Sequence, residues 1–159
     1  MNQDTIHRET NFERYISRKI VELTSDGNGW RVSPNDKGFD PNTALYMPDF
    51  IEYLGSIDPH KLKLMQEKMG TNWQSNLEKS LVKSLENNGT VLTLRDGFPM
   101  AGYQTIVCSG GIPDDPRLPK LKELYDKNIL RIMHQVHYQT AGNKSLDLVF
   151  FINGIPVAT

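Results

Sequence analysis

SLDLVFFINGIPVAT, residues 145–159, constrains the fold more than any other stretch of this chain. Leu146 and the run from Leu148 to Ile152 are apolar and rich in strand formers. Asn153-Gly154 between two apolar runs is the strongest short hairpin signal, because both residues tolerate the positive φ that a tight turn demands. An antiparallel strand pair must form here. One acid, Asp147, interrupts the first strand. A carboxylate buried in such a strand is costly unless it is paired, hydrogen-bonded or bound to a cation. Two readings follow: a strand-start acid that meets Lys144 or a backbone N–H, or a carboxylate kept for chemistry.

The rest of the chain supplies what this hairpin packs against. ILRIMHQVHYQT reads as the neighbouring strand, joined to it through AGNK, and TVLTL and YQTIVC read as two more short strands. PRLPKLKELYDKN reads as a short helix. The first half is helical. Asn11 is expected to cap a helix through FERYISRKIVELT, with Phe12, Ile16, Ile20 and Leu23 as its buried stripe and Glu13 and Glu22 also upon it. SDGNG ends that helix, and the stretch from Trp30 to Leu45 reads as mostly loop. FIEYL, HKLKLMQEKM and WQSNLEKSLVKSLENNG give three further helices, the last with a core stripe of Trp73, Leu77, Leu81 and Leu85. Helices first and a largely antiparallel sheet after define an α+β class in one domain, residues 1–159, with no linker.

Composition narrows the function. The chain has 159 residues, 38% of them hydrophobic and 23% charged, which fits a globular domain. No apolar run is long enough to span a bilayer, and MNQDTIHRET lacks the apolar centre of a signal peptide, so a cytoplasmic location is expected. A formal net charge of −1 excludes a protein that coats nucleic acid by bulk charge but leaves a local basic face open. No GxxxxGK[ST], HExxH, GxSxG or CxxC occurs. His134 and His137 sit three apart on one strand and so point to opposite faces, which suits surface or packing roles better than a shared metal. The single cysteine, Cys108, reads as a small buried residue. Lys61, Lys63 and Lys68 read as a solvated face.

VLTLRDGF, HQVHY with Gln135 inside it, and above all SLDLVFFINGIPVAT resemble, in order and spacing, the amino-terminal region of the R subunit of type I restriction enzymes. The resemblance covers about Phe12 to Thr159, with His134 standing where that family is expected to carry arginine. It implies an incomplete restriction-endonuclease-like core of the PD-(D/E)xK kind. There an aspartate on one strand and a glutamate on the next hold Mg²⁺, and a lysine two residues past the glutamate helps activate water. By that resemblance Asp147 is the catalytic and metal-binding aspartate. An acid from the first helix completes the set: Glu13, with Glu22 as second choice. Arg14, Arg18 and Lys19 are expected to make weak, salt-dependent contacts to double-stranded DNA.

The resemblance also implies an ATP-driven motor region and partner modification and specificity subunits. The Glu-x-Lys that follows this phrase in the family is not among the 159 residues, so the expectation is a fragment, inactive alone. The competing expectation is a catalytically dead, stand-alone DNA-binding or protein-interaction module, and the blandest is an unrelated α+β domain. Geometry sharpens the first. A two-residue turn pairing Ile152 with Ile155 sets Asp147 opposite position 160, whereas a shared site needs it opposite position 161. The expectation is therefore a three-residue loop, Asn153-Gly154-Ile155, with Ile152 facing Pro156, or an equivalent bulge, and Gly154 or its neighbour at positive φ.

Overall fold

The computed structural model describes residues 3–23, 29–113, 115, 117–139, 142 and 144–159, with side chains of the first helix from residue 11 to 22. Residues 25–28 of the SDGNG break, the Leu23 side chain, and Ala141 and Asn143 of the AGNK loop lie outside them. In chain order the elements are α1 (Gln3–Leu23), β1 (Arg31–Ser33), α2 (Met47–Ile57), α3 (Pro59–Met69) and α4 (Trp73–Asp96). Then come β2 (Phe98–Met100), β3 (Tyr103–Ile106), α5 (Pro119–Asp126), β4 (Leu130–His137), β5 (Ser145–Ile152) and β6 (Ile155–Ala158). The class is α+β, with helices mostly first.

A four-stranded sheet runs β1-β4-β5-β6, and β2 and β3 form a separate hairpin. β4, β5 and β6 are antiparallel neighbours, while β1 lies parallel to β4 through Arg31↔Arg131 to Ser33↔Met133. β1 falls inside the stretch expected to be loop. A parallel pair needs a long crossover, here everything from α2 to α5, so no local signal announces it.

Three other expectations are corrected. TVLTL is helical: α4 continues to Asp96 across a kink at Gly89, whose φ and ψ are 76° and 171°. Its β-branched residues favour strands, but tertiary packing overrides the preference. Thr93 is buried and its hydroxyl meets that of Ser84 at 3.0 Å, folding the short second piece against the first. The helix α1 starts well before Asn11, so Asn11 is not its cap. Nor is Phe12 on its buried face, being 65% exposed. The face turned inward carries Glu13 and Ser17, with Ile16 and Ile20 half-buried beside them.

The main core joins Phe50, Tyr53 and Leu54 of α2 to Met65 of α3, Leu77 and Leu81 of α4, and Phe98, Ile106 and Ile155. Trp73 and Leu85 pack against it, so the expected stripe of α4 is core. Pro48 opens α2 at a position whose N–H would be unpaired anyway. Asp58 caps α3, accepting from the Lys61 N–H at 2.8 Å. Lys61 is less free than expected, because its ammonium donates to the Thr105 carbonyl at 3.3 Å.

Arg131 and His134, three apart on β4, point to opposite faces and meet different helices. Arg131 grips the buried Asp49 of α2 with two hydrogen bonds of 2.7 Å, while His134 meets Ser17 of α1. The sheet therefore holds α2 on one side and α1 on the other.

The hairpin solves its register in its own way. Ile152 pairs with Ile155 across a two-residue turn, with φ of 50° at Asn153 and 75° at Gly154. The three-residue loop, with Ile152 facing Pro156, does not form. Phe151 pairs with Pro156, but Phe150 then pairs with Ala158, so Val157 is an inserted bulge residue. Proline brings no ladder N–H, and bulges are where strands tolerate it. Asn153 ties the turn down. Its carboxamide accepts from the Ile129 N–H at 2.7 Å and donates to the Cys108 carbonyl at 2.9 Å.

Candidate active site

Glu13 is presented to the sheet by α1 and is only 8% exposed. A carboxylate in that position requires partners. The side-chain amide of Gln135 supplies them, with Nε2 lying 3.2 and 3.4 Å from the two Glu13 oxygens. The same nitrogen lies 3.4 Å from Asp147 Oδ1. One NH₂ group thus serves both acids, and their oxygens can be no farther apart than those two bonds laid end to end. Gln135 is itself oriented from the other side, its Oε1 accepting from Ser145 Oγ at 2.9 Å.

The backbone at Gln135 is unusual. Its φ is 51°, the left-handed region that a residue with a Cβ enters at a cost of about 1–2 kcal/mol. The β4–β5 ladder pairs His134 with Leu148 and Val136 with Leu146, and it lacks a pair between Gln135 and Asp147. No residue is inserted, so the register is kept while this one position is twisted out.

His134 completes the contact between α1 and β4. Ser17 Oγ lies 2.9 Å from its Nε2, and its Nδ1 lies 3.6 Å from Glu13 Oε2. The second distance is too long for a hydrogen bond, so the three residues do not form a proton relay. They anchor the helix and hold Glu13 on the sheet side. A cleft of about 470 Å³ opens beside them, lined by Glu13, Arg14, Ser17, Arg18, Val32 and His134 among others.

Asp147 departs from the premise that singled it out: it is exposed at the sheet end, not buried. The cost of burial does not apply to it, and its hydrogen-bond partner is Gln135 rather than Lys144. Glu22 stands apart, engaged by Lys19 at 2.8 Å and by Arg18 at 3.6 Å on the helix surface. Of the cations on α1, Arg18 and Lys19 also lie 5.9 Å from the Tyr15 ring. His137 is exposed and bonds Asp36 through Nδ1 at 2.8 Å, away from His134's partners. Cys108 is fully buried and its thiol is pushed up to about 12 by desolvation, which leaves it without nucleophilic character.

The register of β6 bears on the same place. The Val157 bulge leaves Phe150 opposite Ala158. A strand continuing in that register would place position 161 opposite Asp147, whereas the unbulged turn would place position 160 there. Sequence reasoning named Glu13 and Asp147 but missed the roles of Gln135, Ser145 and Ser17. A glutamine inside the apolar run IMHQV was the available signal.

Among the described residues no group of three His, Cys, Asp or Glu side chains is arranged to hold a metal ion. The carboxylates of Glu13 and Asp147 are nevertheless hard oxygen donors, and Mg²⁺ is ordinarily held by one or two carboxylates with waters filling the remaining positions. The donor chemistry fits such a cation. No helix among the described residues is long and apolar enough to cross a membrane.

The family model described as the type I restriction enzyme R protein N terminus matches residues 12–159. No match was found among curated proteins or among solved structures.

Proposed function

Because the chain belongs to the family of type I restriction enzyme R protein N termini, we propose that it carries the aspartate side of a metal-dependent, PD-(D/E)xK-like DNA-cleaving site. The observation that carries this reading is the shared amide: Glu13 on α1 and Asp147 on β5 converge on one Gln135 nitrogen. The bulge in β6 adds to it, since a glutamate at position 161 would face Asp147.

Asp147 and Glu13 would hold Mg²⁺. Such an ion makes its bound water a stronger acid and offsets charge on the phosphate. The protein's own share is positional. Ser17 and His134 fix α1 against β4, so that Glu13 stays on the sheet side. A glutamate at 161 and a lysine at 163 would complete the set.

Arg14, Arg18 and Lys19 are the proposed contacts to double-stranded DNA, with the binding steeply salt-dependent. Engagement of Arg18 and Lys19 by Glu22 keeps that contact weak. The ATP-driven motor and the modification and specificity subunits are the proposed partners of this segment in the assembled enzyme.

Titration with Mn²⁺ followed by electron paramagnetic resonance tests the site. Wild type should bind, and Asp147→Asn and Glu13→Gln should each bind at least about tenfold more weakly. Variants that bind as wild type does would remove both residues from the site.

A further inference from the structure

We propose that Gln135 is a two-state residue of this site: its amide nitrogen holds Glu13 and Asp147 together when no cation is bound, and its carbonyl oxygen becomes a ligand when one is. The inference rests on the two-carboxylate reading above and adds a third oxygen donor to it.

Chemistry sets the unliganded orientation. Carboxylates only accept hydrogen bonds, so the NH₂ end must face them, at 3.2 to 3.4 Å from three of their oxygens. Two like charges brought this close would repel, and the shared donor offsets that. The N–H hydrogens thereby point into the space between the acids, where a divalent cation would meet them with like sign. Cation binding therefore requires the carboxamide to turn. A half-turn about its last side-chain torsion brings Oε1 to the cation, and carbonyl oxygen is a ligand that Mg²⁺ and Mn²⁺ accept.

Ser145 makes both states tenable. Its hydroxyl donates to Gln135 Oε1 at 2.9 Å. A hydroxyl can also accept, so after the turn the same oxygen receives an N–H from Nε2. The polar group on the far side is satisfied either way. The backbone agrees with a residue kept for its position, since β4 holds Gln135 at φ 51° and forgoes a ladder pair opposite Asp147. Strain of that kind persists where the surroundings over-determine it.

The experiment uses the 159-residue chain labelled with ¹⁵N. Addition of Mg²⁺ should shift the Gln135 side-chain NH₂ resonances, saturating together with cation binding. Gln135→Ala and Gln135→Gly should each weaken Mn²⁺ binding about tenfold. The glycine variant also relieves the positive φ, so it keeps the test open if the alanine variant fails to fold. An NH₂ signal unmoved at saturating Mg²⁺ would overturn the inference. So would unchanged or tighter Mn²⁺ binding by the glycine variant while Asp147→Asn and Glu13→Gln still lose it. A wild-type chain that binds no Mn²⁺, or binds it regardless of Asp147 and Glu13, would sink the two-carboxylate reading itself and this inference with it.

Discussion

Replacing Gly154 by alanine should be among the most damaging single-methyl changes in the chain, and the structure says how damaging. Gly154 has φ 75°, so any Cβ costs about 1–2 kcal/mol in backbone strain. That Cβ would also stand 2.1 Å from the Tyr46 carbonyl oxygen and 3.3 Å from the Phe50 nitrogen. Both are backbone atoms at the start of α2 and cannot rotate away. The turn must retreat, which breaks the 2.9 Å hydrogen bond from the Tyr46 N–H to the Gly154 carbonyl. Leaving such groups unpaired adds about 1–3 kcal/mol.

The total is roughly 2–5 kcal/mol, a large share of a typical domain stability of about 5–15 kcal/mol. Gly89→Ala is the control. Its φ is 76°, nearly the same, but nothing lies within 4 Å of the added Cβ. It should cost only the strain, about 1–2 kcal/mol. Urea unfolding followed by far-ultraviolet circular dichroism measures both. Equal destabilisation by the two substitutions would refute the contact between turn and helix as the reason for glycine at 154.

Two other substitutions test the framework around the site. Asp49→Asn leaves the Arg131 guanidinium, held by both Asp49 oxygens at 2.7 Å and 4.7 Å from the Tyr46 ring centroid, without its buried counter-charge. A loss of about 3 kcal/mol in urea unfolding is expected, and Asp49→Leu combined with Arg131→Met should lose less. Asp36 accepts the backbone N–H and ring Nδ1 of His137, and these bonds hold its carboxyl below the ordinary carboxylate range. A lowered value means that its contribution is present above about pH 4 and fades as the pH falls further. Asp36→Asn should therefore cost up to about 1 kcal/mol at neutral pH and show a shallower acid limb of thermal stability, whereas an unchanged limb would exclude the contact as a stabiliser.

What could be read from the residues, and what could not, divides along physical lines. The hairpin was legible because Asn-Gly dictates a local conformation. The alternation of side chains along β5 was legible because strand geometry fixes it. Of the two devices expected, the three-residue loop is absent and the equivalent bulge is present: a two-residue turn is followed by an inserted Val157, beside Pro156. β1 was invisible because its partner is β4, about a hundred residues along the chain.

Periodicity gives only part of the inward face of α1, since Ile16 and Ile20 are half-buried on it but Phe12 is not. Apolar spacing nominates Phe12, yet the helix turns Glu13 and Ser17 inward because β4 offers Gln135 and His134 as partners. Glu13 was therefore a fair candidate on its type and position, while the glutamine that joins it to Asp147 was visible only as a polar residue among apolar neighbours, with nothing to show what it would touch. A positive φ in mid-strand is a tertiary event.

The most direct measurement extends the chain beyond Thr159 so that glutamate occupies position 161 and lysine position 163, and follows nicking of supercoiled plasmid in Mg²⁺. The account predicts metal-dependent nicking by the extended chain, abolished by Asp147→Asn and strongly reduced by Glu13→Gln, with each variant still folded. No nicking by the extended chain, or nicking that proceeds undiminished in the Asp147→Asn variant, would contradict the claim that this sheet edge is the aspartate side of a nuclease site.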